Sequence, residues 1–275
     1  MRLNELTEAL KKMGVCEPRD EARIILEHLF GTHPADLLLH PERDFDTEKI
    51  EPVLKKREEK IPIQYIIGKW YFMGLELALS EACLIPRPDT EILVYEALKI
   101  LKKGDRVADF CTGSGCIGLS VLKHFPDVDS VLLLDISRDA LSVAEQNAKA
   151  LGVTEKCTLV NADITKYKPE GKFNLIISNP PYILSEDMQD LSDEVKKEPT
   201  LALDGGKDGL DIIRVIIDTS PDFLDENGAL IVEFGFDQGD KIRALMNKAL
   251  TEGKYKEYKI LKDYGGNDRA LVARK

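Results

Sequence analysis

The chain has 275 residues, 43% of them hydrophobic, which is enough for one large or two ordinary globular domains. Its 49 acidic against 38 basic residues give a net charge of −11, which opposes a phosphate backbone, and no apolar run approaches the ~20 residues of a membrane-spanning helix. Five scattered cysteines without a C-x-x-C, and four histidines without metal-site spacing, argue against structural disulfides and a metal site. A cytoplasmic protein with no membrane or direct nucleic-acid partner is therefore expected.

Leu3, Leu6, Leu10 and Met13 recur at helical spacing, and Gly14 stops that helix. Pro18 and Asp20 open a second helix whose apolar face is Ile25, Leu26, Leu29 and Phe30, ended by Gly31. Short helical stretches follow at 34–40 and 46–60, the latter with Ile50, Val53 and Leu54 inward. Its Lys55-Lys56-Arg57 cluster, followed at once by Glu58-Glu59, reads as a solvated helix face. Residues 1–62 are thus expected to form a small all-helical domain. From Ile63 the aromatic and β-branched run through Trp70, Tyr71 and Phe72, with turns at Gly68 and Gly74, predicts a β-hairpin bridge over 63–85.

A third part, 86–275, opens with Pro86-Arg87-Pro88-Asp89-Thr90-Glu91 and a helix to about Lys103. Strand and helix then alternate: strands at 106–111, 130–135, 157–161, 173–178 and 229–236, with helices at 115–124, 138–151, 212–224 and 241–250. Such alternation predicts a parallel sheet covered by helices. Two closing strands, 258–261 and 270–273, are joined by Gly265-Gly266-Asn267-Asp268 and suit an antiparallel edge.

Gly113, Gly115 and Gly118 form G-x-G-x-x-G between the first of these strands and its helix, and Asp135 ends the next strand where ribose hydroxyls would be held. That pattern suits NAD or S-adenosylmethionine equally. Asp109 separates the two, because a carboxylate beside the glycine loop would oppose a pyrophosphate and favour an ammonium and a sulfonium; its bland alternative is a capped strand end. Asp163 could accept an adenine amino proton, with Ile164 against the ring, or could simply make a turn.

Ile176-Ile177-Ser178 runs into Asn179-Pro180-Pro181-Tyr182. Two prolines stiffen the loop and push Asn179 toward extended geometry. The Asn179 side-chain oxygen and the Pro180 carbonyl can then converge as two acceptors on one planar NH2 group, with Tyr182 flat against it. An isolated Asn-Pro would be turn punctuation; after a buried strand and downstream of a cofactor loop it reads as a catalytic motif.

Glycine loop, Asp135 and Asn179–Tyr182 together resemble the class I S-adenosylmethionine-dependent methyltransferases that modify a planar nitrogen. The segments IPIQYIIGKWYFMGLEL, IPRPDTE, GGKDGLD and DYGGNDRALVAR resemble, over nearly the whole chain, the N5-glutamine methyltransferases of peptide chain release factors. The resemblance implies an α/β, Rossmann-like, seven-stranded sheet with its last strand antiparallel, behind a helical substrate-recognition domain. It implies methyl transfer from S-adenosylmethionine to the glutamine of a Gly-Gly-Gln motif in a release factor, by an enzyme expected to be monomeric. Cys111, Thr112, Gly113, Ser114, Gly115, Asp135, Ile164 and Asn179 would touch the cofactor, and Asn179, Pro180, Pro181 and Tyr182 the glutamine. Cys111 departs from the pattern, standing where many relatives have the first loop glycine. The alternatives are a methyltransferase of a ribosomal-protein glutamine, one of a nucleic-acid base nitrogen, and a cofactor-binding module without chemistry.

Overall fold

A computed structural model describes all residues, Met1–Lys275. The chain forms two compact units, Met1–Lys69 with Ser192–Lys197, and Trp70–Leu191 with Glu198–Lys275.

The first unit holds α1 (Leu3–Lys12), α2 (Pro18–Phe30), α3 (Pro34–Leu39), α4 (Thr47–Glu58) and α5 (Ile63–Ile67). Pro18 at the start of α2 and Gly31 at its end, with φ 62°, use proline and glycine where each is cheapest. The apolar faces converge on a core of Leu3, Leu6, Leu10, Ile25, Leu26, Ile50 and Ile63. Two expectations are corrected here. Residues 63–67 are helix rather than strand, closed by Gly68 at φ 76°, so the helical unit extends to Lys69. Arg57 is not on a solvated face: it is 2% exposed, pairs with Glu21 at 2.6 Å and Glu194 at 2.7 Å, and donates to the Ile61 carbonyl at 2.6 Å. A charge buried this deeply requires such partners.

The hairpin is shorter than expected, β1 (Lys69–Phe72) with β2 (Leu75–Ala78). The second unit continues with α6 (Glu91–Ile100), β3 (Arg106–Phe110), α7 (Cys116–His124), β4 (Ser130–Asp135), α8 (Arg138–Leu151), β5 (Cys157–Asn161) and β6 (Phe173–Ser178). It ends with α9 (Asp211–Phe223), β7 (Leu224–Glu233), α10 (Gly239–Thr251), β8 (Glu257–Lys262) and β9 (Asp268–Arg274).

The strands form one sheet in the order β5-β4-β3-β6-β7-β9-β8. The first five are parallel, and β9, the last in the chain, runs antiparallel to both neighbours, as expected. Alternate residues feed opposite faces. Val107, Leu133, Leu175, Ile177 and Ile231 pack with α6, α7 and α8, whereas Ala108, Phe110, Ile176, Leu230 and Val232 pack with α9 and α10. From β3 the order proceeds one way to β4 and the other way to β6. The crevice beyond the carboxyl ends of β3 and β6 is therefore the switch point at which such sheets bind ligands.

Candidate active site

Beyond the carboxyl ends of β3, β4, β5 and β6 lies a cavity of about 160 Å³. Its walls include Cys83, Arg87, Thr90, Cys111–Ser114, Asp135, Ile136, Asp163, Ile164, Asn179, Pro181 and Leu201. The sequence-predicted residues are thus brought together from four loops, except for Asp109, Gly115, Pro180 and Tyr182, which do not line it.

The loop after β3 turns tightly, with Cys111, Gly113 and Gly115 at φ 57°, 55° and 80°. Cys111 does accept the left-handed conformation, at a cost of about 1–2 kcal/mol for a residue with a Cβ. Gly118 serves a different need, because a Cβ there would lie 2.6 Å from Leu133 Cδ2 and hold α7 off the sheet. Asp109 lies beneath this turn, fully buried. Its Oδ2 accepts the Thr112 hydroxyl at 2.6 Å and the Gly118 N–H at 2.9 Å, while Oδ1 has no partner. Burial pushes its carboxyl up to about 7, against those two hydrogen bonds. The expected ligand contact of Asp109 is corrected to a brace behind the loop, since it shares a face with Val107 and meets α7 rather than the crevice.

Asp135 ends β4 on the cavity wall, where Oδ2 accepts the Gly113 N–H and Oδ1 the Ser137 N–H, both at 2.9 Å. One carboxylate thereby ties two loops together, and burial raises its pKa. After β5, Asp163 accepts from the Thr165 N–H at 2.9 Å and hydroxyl at 2.6 Å and pairs with Lys166 at 3.0 Å. The hydroxyl leads among the partners that hold its carboxyl down at about 2. Ile164 beside it is 6% exposed on the cavity.

Asn179 follows β6. Its Nδ2 donates to Thr90 Oγ1 at 3.1 Å, and its Oδ1 is buried without a partner. An unpaired buried acceptor is costly unless a ligand completes it. Tyr182 is corrected in place: its hydroxyl donates to Glu233 Oε1 at 3.3 Å and its carbonyl accepts Gln238 Nε2 at 2.8 Å, so the ring braces the loop from behind. Glu233 is 1% exposed, and burial pushes it up to about 7, against Thr90, Arg269 and Tyr182. The loop is also clamped along its backbone. Ile183 donates to Leu203 O at 2.9 Å and accepts from Gly205 N at 2.8 Å, and a Cβ on Gly205 would stand 2.7 Å from Tyr182 Cα. The GGKDGLD segment is glycine-rich because it lies against the Pro-Pro-Tyr backbone.

Sequence reading assigned no role to Thr90, Arg87, Glu198 or Glu233. The first two were visible within IPRPDTE, and Glu233 as the lone acid in the apolar run Ala-Leu-Ile-Val-Glu-Phe.

The Methyltransferase small domain family matches residues 88–203, and the PrmC N-terminal domain matches residues 2–68. The release factor glutamine methyltransferase of Rhodospirillum rubrum is 40% identical over 271 residues, 97% of this chain and 82% of that one. That of Agrobacterium fabrum is 37% identical over 98% of this chain and 96% of its own. The chain belongs to the release factor glutamine methyltransferase family. Among solved structures, a ribosomal protein L11 methylase from Lactobacillus delbrueckii subsp. bulgaricus is 25% identical with a TM-score of 0.50, covering 72% of this chain and 84% of that one. A methyltransferase from Pyrococcus furiosus shares the fold, with a TM-score of 0.57 at 19% identity over 80% and 98%.

As a member of this family the chain is a methyltransferase whose donor is S-adenosylmethionine. The cavity suits that donor. It places a carboxylate at Asp135, apolar walls at Ile136 and Ile164, and Asn179, whose buried oxygen lacks a partner, along one crevice.

Proposed function

We propose that this chain methylates the side-chain amide nitrogen of the glutamine in the Gly-Gly-Gln motif of a peptide chain release factor. The observation that carries this reading is the buried Asn179 Oδ1, which lacks a donor, on a residue that lines the cavity shared with the glycine loop.

When bound, S-adenosylmethionine supplies an electrophilic methyl group on a sulfonium. Asp135 accepts the ribose hydroxyls, the Cys111–Gly115 turn takes the tail, and Asp163 and Ile164 receive the adenine. Asn179 Oδ1 accepts one N–H of the glutamine amide, and we assign the other to the carbonyl of Pro180, which does not itself line the cavity but stands between Asn179 and Pro181, which do. Amide nitrogen is a weak nucleophile because its lone pair is shared with the carbonyl, so the two acceptors must orient it and meet the positive charge that develops there. Thr90 holds Asn179 with its oxygen outward, and Tyr182 and Asp109 stiffen the loops behind. In-line placement within about 3–3.5 Å contributes much of the remaining acceleration. The amide proton needs no dedicated base, because the nitrogen becomes acidic as it accepts the methyl group.

We assign release-factor recognition to the helical unit, which precedes a sheet already complete for the chemistry, and expect a cytoplasmic monomer. The net charge of −11 disfavours a nucleic-acid substrate. Incubation with labelled S-adenosylmethionine and a cell extract tests the reading. Label in a release factor supports it, and label in a ribosomal protein or in nucleic acid overturns it.

A further inference from the structure

The loop that follows Asn-Pro-Pro-Tyr returns to the cavity at Pro199, Leu201 and Ala202, all three of which line it. Leu201 is 56% exposed, so burial of its own side chain does not hold this stretch in place. What does hold it is the residue just before. Glu198 is only 4% exposed; its Oε2 accepts the Ile85 N–H at 3.0 Å, and its Oε1 pairs with the Arg87 guanidinium. A buried carboxylate engaging a guanidinium and a backbone N–H together is a strong, directional anchor.

Its partners matter as much as its burial. Ile85 and Arg87 begin the Ile-Pro-Arg-Pro-Asp-Thr segment, whose two prolines stiffen it, and the same segment ends in Thr90, bonded to Asn179 Nδ2. A short, stiff path therefore joins the 199–202 wall to the group that would accept the substrate amide. The hydrogen bonds of Asp135, in contrast, go to Gly113 and Ser137, on the far loops.

We propose that Glu198 is a positioning residue for the methyl acceptor: through Arg87 and the Ile85 N–H it sets residues 199–202 as the wall flanking Asn179. This inference rests on the methyltransferase reading above for its kinetic consequence, and on the loop itself for its structural one.

The variants are Glu198→Gln, Arg87→Met and the double variant; Gln keeps an acceptor for the Ile85 N–H and loses the charge facing Arg87. Three measurements are made: trypsin cleavage after the exposed Lys196 and Lys197, calorimetric binding of S-adenosylhomocysteine, and steady-state methylation of a release-factor fragment. We expect each single variant to be cleaved at least fivefold faster, with the double variant no faster than the worse single one. We expect S-adenosylhomocysteine affinity to stay within twofold in Glu198→Gln, whose side chain does not line the cavity, and KM for the fragment to rise about tenfold. Cleavage at the wild-type rate, additive effects of the two substitutions, or equal weakening of cofactor and fragment would each overturn the role of Glu198. If the wild-type chain leaves the fragment unmethylated, the functional reading fails instead. The latch is then decided by cleavage, non-additivity and cofactor affinity alone.

Discussion

Thr90→Val tests how the site is oriented. Valine matches threonine in shape, so the change removes one oxygen and leaves the packing of a residue that is 1% exposed nearly unaltered. The oxygen removed is the acceptor of Asn179 Nδ2, 3.1 Å away. Without it the Asn179 amide has a buried, unpaired donor, a defect of about 1–3 kcal/mol. With no partner left at position 90 for either end, nothing holds the amide in one orientation, and a half-turn exchanges the places of Nδ2 and Oδ1. A donor then faces the N–H of the substrate where an acceptor is required. If the whole penalty falls on the transition state, the rate drops about 5- to 150-fold. Asn179→Ala removes the acceptor outright and should cost about 2.7–4 kcal/mol, a hundred- to thousandfold, with kcat falling more than KM rises. The assay is single-turnover methylation at saturating S-adenosylmethionine, with the melting temperature recorded for each variant. A folded Thr90→Val protein at the wild-type rate would show that Asn179 does not depend on Thr90 for its orientation.

Further outcomes follow from other parts of the site. Asp135→Ala should weaken S-adenosylhomocysteine by about 1–3 kcal/mol in calorimetry, and NAD should not raise the melting temperature of the wild type where S-adenosylhomocysteine does. Glu233 is raised in the folded state from 4.5 to about 7, so the stability it contributes is present below 4.5 and lost as pH rises through about 7. Glu233→Gln should accordingly lose less melting temperature between pH 5 and 8 than the wild type, and parallel curves would contradict the assignment. Cys111 sits at φ 57°, so Cys111→Gly should be more stable than Cys111→Ala by about 1 kcal/mol in denaturant unfolding. The reverse order would place that residue outside the left-handed region.

The parallel strands were legible because each is a short apolar run bounded by turn residues, and the two closing strands because Gly-Gly-Asn-Asp separates them. Residues 63–67 misled because Ile-Gln-Tyr-Ile-Ile has strand propensity, yet Pro62 and Gly68 bound a helix whose Ile63 completes the helical core. Arg57 could not be read from Lys-Lys-Arg, since its partners lie 36 residues before and 137 after it. Asp109 lies at the strand end beside the glycine loop, as expected, and its two-residue spacing from Val107 sets its side chain on the face that meets α7. Tyr182 and Thr90 depend on how β6, β7 and the Ile-Pro-Arg-Pro segment register in space, which no local pattern carries.

The destination of the methyl group, a glutamine amide held by Asn179, is read out by incubating the purified chain with S-adenosylmethionine and a purified release factor, then locating the modification by fragmentation mass spectrometry. The expected result is one methyl group on the side-chain amide of the Gly-Gly-Gln glutamine with the wild type, and almost none with Asn179→Ala. A methyl group on any other residue, or an equal yield from the folded Asn179→Ala protein, would contradict it.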